Sequence, residues 1–392
     1  MNAPRPGPGL VEAVRTRLAR DGVEPSPARV AAALRAEGGV LGDAEVLEVV
    51  RALRAELSGA GPLEPLLDDP EVTDILVNGP EEVWIDGAGG LRPAGVRFSG
   101  EEAVRGLARR LAAQAGRRLD ASAPWCDARL PSGARFHAVL PPIAPEGACL
   151  SLRIPPRHGF GLAELSARGA LPPAASRLLA ALVRSRAALL LTGGTGSGKT
   201  TLLSALLSLA DPGERLVLVE DSSELRPDHP HVVRLQARPA NIEGTGEVTL
   251  DQLVRQALRM RPDRLVVGEV RGPEVVSLLA AMNTGHEGGA GTLHANAAAE
   301  LPARIEALAC AAGLGREAAH GQLCATRAVA VHMVRGPDGR RAPSEVCVLR
   351  RGPDGLAAAV PAVRFDAAGG WAEGEGHPDL AARVGTGWRE DR

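Results

Sequence analysis

The chain has 392 residues, 45 % of them apolar, so it is long enough for two or three domains with separate cores. Its formal net charge is −2, which excludes a global field that would recruit nucleic acid or an acidic membrane. No apolar run approaches the ~20 residues of a spanning helix, and the first residues, MNAPRPGPGL, lack the basic and apolar regions of a secretory signal, so a soluble chain with at most a peripheral membrane role is expected.

Residues up to about Pro8 read as a disordered Pro/Gly leader. From 10 to 57 the pattern is helical: Val46, Val49, Val50, Leu53 and Leu57 fall on one face. Residues 1–57 are therefore expected to be an N-terminal helical segment that packs or docks. Ser58-Gly-Ala-Gly-Pro62 marks a boundary. Beyond it, 73–78 and 83–86 predict short strands around the turn Asn78-Gly-Pro, and 101–115 predicts a helix. A hairpin over 127–140 turns at Pro131-Ser-Gly133, and another strand runs to Ile154. Residues 58–158 thus read as a small mixed α/β domain, closed by the linker Pro155-Pro-Arg-His-Gly159.

From Leu162 onward helix and strand alternate, as a mostly parallel sheet demands. Strands are expected at 187–191, 216–220 and 265–267, and near 290–293 and 328–334. Two turns, Gly336-Pro-Asp-Gly339 and Gly352-Pro-Asp-Gly355, predict a closing antiparallel meander. This third part spans 159–366, and the Gly-rich stretch 367–392 is expected to be a loose tail.

The strand at 187–191 runs straight into Gly193-Gly194-Thr195-Gly196-Ser197-Gly198-Lys199-Thr200, and Thr201 begins a leucine-rich helical stretch. That is G-x-x-x-x-G-K-T between strand and helix, the context in which the motif holds the phosphates of ATP. Its glycines let backbone N–H groups turn inward, and the positive helix N-terminus adds to the attraction for anions. Lys199 is expected to reach the terminal phosphates and Thr200 to offer its hydroxyl to Mg²⁺. Lys199 is the only lysine in the chain; elsewhere cations are arginines or histidines. A compact ammonium suits a point contact between phosphate oxygens better than a planar fork does.

Hydrolysis needs acids near that loop. Two apolar strands end in carboxylates: 216–220 leads into Glu220-Asp221-Ser-Ser-Glu224, and Arg264-Leu-Val-Val-Gly-Glu269 ends in Glu269. Carboxyl ends of strands are where open α/β sheets place their ligands, although acids there are also often merely solvated. Thr249-Leu-Asp-Gln252 is a capping box opening a helix whose Arg255 and Arg259 face either solvent or an interface. The five cysteines, 126, 149, 310, 324 and 347, contain no C-x-x-C pair, so neither a zinc site nor a disulfide framework follows and a reducing cytoplasm is expected.

Four segments occur in one order: Gly193 to Thr200, Glu220 to Glu224, RPDRLVVGEVR (261–271) and GHEGGAGTLHAN (285–296). They resemble the Walker A, Asp box, Walker B and His box of the type II/type IV secretion ATPase superfamily. GPLEPLL (61–67), TDILVNG (73–79) and DARLPSGARFHAVLPP (127–142) resemble the N-terminal domain of the Tad/Flp pilus assembly ATPases. The resemblance covers about residues 58 to 335. The tetracysteine zinc insertion common in type II secretion members is absent, which points toward the Tad-like or conjugation-related branch.

The resemblance implies an α/β fold, with a RecA-like P-loop NTPase domain behind the smaller mixed domain and the helical segment. It implies that Glu224 is the general base, Glu220 a supporting acid, and Glu269 an anchor for Mg²⁺ through water. His294 would sense the γ-phosphate or link it to the neighbouring domain, and Arg129, Arg135 and Arg153 would be arginine fingers. It further implies a cytoplasmic hexamer at the inner face of the membrane, acting on an inner-membrane platform protein. A DNA-transfer motor is the alternative, without a visible nucleic-acid module. A small-molecule kinase would leave the His box and the long N-terminal part unexplained.

Overall fold

The computed structural model describes residues 29, 32, 33, 36 and 59–389, apart from 88, 156–158, 239, 241–244, 286–287, 337 and 367. The expected leader and most of the helical segment 1–57 lie outside the described residues, as do Pro156, Arg157 and His158 of the linker and His286 and Glu287 of the His box. The chain forms two compact units, Met1–Arg157 and His158–Arg392.

The first unit contains α1 (Glu64–Asp68), β1 (Val72–Asn78), β2 (Val83–Gly87), β3 (Arg92–Pro93), α2 (Glu101–Gln114), β4 (Trp125–Arg129), β5 (Arg135–Val139) and β6 (Cys149–Arg153). Its strands make an antiparallel sheet in the order β3-β2-β1-β6-β5-β4. Alternation along each strand gives the sheet one apolar face. Ile75, Val77, Phe136, Leu150 and Leu152 on that face share a core with Val104, Leu107 and Leu111 of α2. The i, i+3, i+7 spacing of those three residues makes α2 amphipathic. Glu101, in its first turn, accepts the backbone N–H of Ala148 at 2.8 Å and ties the helix to the start of β6.

The second unit contains α3 (Leu162–Ala167), α4 (Pro173–Arg184), β7 (Leu189–Gly193), α5 (Lys199–Leu207), β8 (Leu216–Glu220), β9 (Val232–Gln236), α6 (Leu250–Ala257), β10 (Arg264–Val267), α7 (Glu274–Asn283), β11 (Ala290–Leu293), α8 (Leu301–Ala311), α9 (Arg316–Ala325), β12 (Val329–Arg335), β13 (Arg341–Arg351), β14 (Ala357–Phe365), β15 (Trp371–Glu373) and α10 (His377–Val384). The strand order is β15-β14-β13-β12-β7-β11-β10-β8-β9. The run from β12 to β9 is parallel, and β13–β15 extend it as an antiparallel meander. Successive residues face opposite sides, so Leu189, Leu191, Leu216 and Leu218 pack with α3, α4, α5 and α10. Leu190, Val217, Val219 and Val267 pack with α6 to α9 on the other face. A sheet covered on both faces explains why these strands read as continuous apolar runs. Each fully buried leucine, such as Leu178 or Leu182, contributes about 1.5–3 kcal/mol of burial free energy. The capping box of Thr249 and Gln252 opens α6, and both of its reciprocal hydrogen bonds form.

Two features depart from expectation. β9 was not predicted: it is an edge strand whose residues are half-buried or exposed, so its apolar signal is weak. In the stretch 367–392, expected to be loose, the described residues 368–389 contain β15 and α10 and pack into the core of the second unit. Trp388 is only 4 % exposed, stands 4.9 Å from the Trp371 ring, and its carbonyl accepts Arg177 Nε at 2.9 Å from α4. Burial of Leu380 and the two tryptophans outweighs the flexibility that the glycines suggest.

Candidate nucleotide site

The phosphate loop leaves the carboxyl end of β7 with β11 on one side and β12 on the other. Gly193 has φ +144°, and a Cβ there would lie 2.3 Å from the Met333 carbonyl oxygen and 2.7 Å from Ser197 Oγ. Only glycine lets the loop bend against β12. Gly198, at φ +92°, then turns the chain into α5, whose first residue is Lys199. Beside Gly194 and Gly196 an added Cβ would meet nothing within 4 Å, so Gly194, Thr195 and Gly196 face open space.

Lys199 is 6 % exposed, and its Nζ donates to the carbonyls of Gly193 at 2.9 Å and Gly194 at 2.8 Å. Burial lowers its pKa, the neighbouring Glu269 raises it, and Arg271 lowers it again. An ammonium resting on loop carbonyls, beside a glycine cradle, fits the phosphates of a nucleotide that would displace those contacts. Thr200 and Thr201 follow in the first turn of α5, half-buried.

Glu269 stands two residues beyond β10. His294 Nε2 lies 2.7 Å from Glu269 Oε1, and Arg271 donates to Oε2. The contact with His294 is close but poorly aligned, which leaves the buried Oε1 without a full hydrogen bond. Burial pushes the Glu269 carboxyl up, but Arg271, His294 and Lys199 together hold it below the usual range. The His294 imidazole is driven down by burial and by Lys199, and Glu269 only partly restores it. The fold therefore brings Lys199, Glu269 and His294 together. Thr200 and Glu269 are the residues that could hold a magnesium ion, since a hydroxyl and a carboxylate held below its ordinary pKa are hard oxygen donors.

The acidic loop 220–224 leaves β8. Glu220, 3 % exposed, accepts the backbone N–H groups of Glu224 and Leu225, each at 2.9 Å, so it closes the turn that presents Glu224 at the surface. Burial raises the pKa of Glu220, against the two N–H groups that favour its anion. Asp221 is also pushed up by burial and lies in the field of Arg271 and Glu269. Arg271 in turn is held charged first by Glu269 and further by Asp221 and Glu224. It is the cation between the two acidic segments.

Sequence reasoning assigned no role to Arg271 or to Glu274. Glu274, 3 % exposed at the start of α7, accepts the backbone N–H of Arg271 at 2.6 Å and of Gly272 at 2.8 Å. An acid three residues after Arg271 in a helix's first turn was the available signal.

The three arginines belong to the first unit. Arg129 pairs with Arg135 across β4–β5, and Arg135 with Arg153 across β5–β6. Directly opposed residues point to one face, so the three stand in a row on the face away from α2. Asp127 accepts from Arg135 at 2.9 Å, and Asp74 from Arg153 at 3.0 Å. No helix among the described residues is long and apolar enough to cross a membrane.

The type II/IV secretion system protein family matches residues 56–345 of the chain. A Mycobacterium tuberculosis (strain H37Rv) protein named for conjugal transfer is 57 % identical over 318 residues, covering 80 % of this chain and 90 % of that one. The protein VirB11 of Rhizobium radiobacter is 35 % identical over 265 residues, covering 59 % of this chain and 75 % of its own length. Among solved structures, the Legionella pneumophila ATPase DotB superposes with a TM-score of 0.51 at 22 % identity, covering 72 % of this chain and 78 % of that one, a likeness of fold.

Proposed function

The chain belongs to the type II/IV secretion system protein family, and from that premise we propose that it is an ATP-hydrolysing motor of a secretion machine. The observation that carries this reading is the meeting of Lys199, Glu269 and His294 beside a glycine cradle. Lys199 exchanges the carbonyls of Gly193 and Gly194 for β- and γ-phosphate oxygens. Glu224, presented by the turn that Glu220 closes, takes the proton of the attacking water. His294, held against Glu269, reads the γ-phosphate. Arg129, Arg135 and Arg153 supply the late-arriving positive charge as fingers. Thr200 and Glu269 would hold a magnesium ion, which when bound would supply positive charge where the phosphates develop negative charge.

The proposal includes a ring of six copies at the cytoplasmic face of the membrane, acting on an inner-membrane platform protein. The name of the M. tuberculosis relative favours conjugal transfer as the client. The motifs at 61–67, 73–79 and 127–142 favour assembly of a Tad/Flp-type pilus. Deleting the gene separates the two: loss of DNA transfer supports the first, loss of surface filaments the second.

Glu224→Gln tests the chemistry. The variant is expected to bind ATP normally and to release phosphate about 10²–10⁴-fold more slowly. Undiminished hydrolysis would remove Glu224 from the role of base. Transfer of the γ-phosphate to a small acceptor instead of water would overturn the motor in favour of a kinase.

A further inference from the structure

β7 ends at the phosphate loop between two parallel neighbours, and its residue Thr192 stands in one row with Leu293 of β11 and His332 of β12. Thr192 is fully buried and His332 is 5 % exposed. The Thr192 hydroxyl lies 2.9 Å from His332 Nδ1. Burial lowers the pKa of the imidazole, against a backbone contact at Asn296 that favours its charged form. A neutral ring has one donor and one acceptor. A backbone group that favours the charged ring is an acceptor, so the proton belongs on the nitrogen away from Thr192, Nε2, and Nδ1 accepts from the Thr192 hydroxyl.

These partners have meaning by position. Thr192 immediately precedes Gly193, whose carbonyl holds Lys199. Asn296 follows His294 by two residues, and His294 sits on Glu269. Its own N–H is fixed by Glu300 at 3.0 Å. His332 therefore reaches from β12 across the end of β7 to the segment after β11, joining the two halves of the site.

We propose that His332 is a positioning residue, which sets the spacing between the phosphate loop and the His294 segment through the bridge Thr192–His332–Asn296. The proposal rests on the ATPase reading above. Hydrolysis is sensitive to small displacements of the reacting groups, whereas binding to the glycine cradle alone is less so.

The test uses the full chain with His332→Leu, Thr192→Val, the double variant and His332→Gln, which keeps a donor and an acceptor. Melting temperature, affinity for a non-hydrolysable ATP analogue and kcat are measured for each. His332→Leu is expected to lower kcat on the order of tenfold or more, with little change in analogue affinity. The double variant should be no slower than His332→Leu alone, because both remove one bridge. His332→Gln should recover most of the rate. Wild-type kcat in His332→Leu, additive losses in the double variant, or loss in His332→Gln equal to that in His332→Leu would each overturn the proposal. Nitrogen-15 NMR of the His332 ring is read in parallel, independent of turnover. A proton on Nε2 is expected, and a proton on Nδ1 would overturn the bridge. A wild type that binds but does not hydrolyse ATP would refute the ATPase reading, and the ring tautomer would still decide the bridge.

Discussion

Replacing Gly193 by alanine separates the architecture of the phosphate loop from its chemistry. The new methyl would fall 2.3 Å from the Met333 carbonyl oxygen, a backbone atom of β12, and 2.7 Å from Ser197 Oγ. The serine can rotate; the strand has to move. The backbone at φ +144° is also one that an L side chain rarely adopts. Strain of about 1–3 kcal/mol for the dihedral and a similar amount for overpacking put the loss at about 2–6 kcal/mol. For a unit of this size that lowers the melting temperature by about 4–24 °C. Gly194→Ala is the control, because a Cβ there meets nothing within 4 Å. It should leave stability within about 1 kcal/mol and lower nucleotide affinity, because the methyl enters the cradle. Calorimetry without nucleotide checks the first effect and titration with an ATP analogue the second. A Gly193→Ala protein as stable as wild type would refute the close packing of the loop on β12.

Two further variants probe the surroundings. Glu220→Gln keeps an acceptor for the N–H groups of Glu224 and Leu225 and removes a carboxylate whose pKa burial has raised. The penalty for ionising Glu220 is absent at acid pH, sets in above the ordinary carboxyl value and is complete above its raised folded value. The melting temperature of Glu220→Gln should therefore gain on wild type from acid toward neutral pH; a gap that shrinks over that range would contradict the assignment. Trp388→Ala should cost about 3–5 kcal/mol, since the ring is 4 % exposed. A loss below about 1 kcal/mol, measured by calorimetry, would mean that the C-terminal stretch is not part of the core.

β7, β8 and β10 were legible in the sequence because each is buried on both faces and reads as an apolar run, and β11 and β12 because their buried residues are mostly small or apolar. β9 was not, because an edge strand with Arg234 and Gln236 facing outward has no such run. The C-terminal stretch was misread for a different reason. Its order comes from Trp371, Leu380 and Trp388 meeting α4, a contact between distant parts of the chain that no local periodicity announces. In the site, the glycines and Lys199 were legible as a local motif. The resemblance assigned Glu269 and His294 separate roles at one site, and their contact was not legible, since it depends on β10 and β11 being neighbours. His332 carried no signal at all: its partners belong to β7 and to the segment after β11, and only the strand order brings them together. The row of Arg129, Arg135 and Arg153 was half legible, for the hairpin register fixes the first two and the pairing of β5 with β6 adds the third.

The central claim is hydrolysis of ATP at the loop of Lys199. Release of inorganic phosphate from Mg-ATP, measured side by side for the wild type and Lys199→Ala, tests it most directly. Steady turnover by the wild type and a loss on the order of a hundredfold or more in the variant, with its fold intact by melting, is the predicted result. Equal phosphate release from the two proteins would contradict the account.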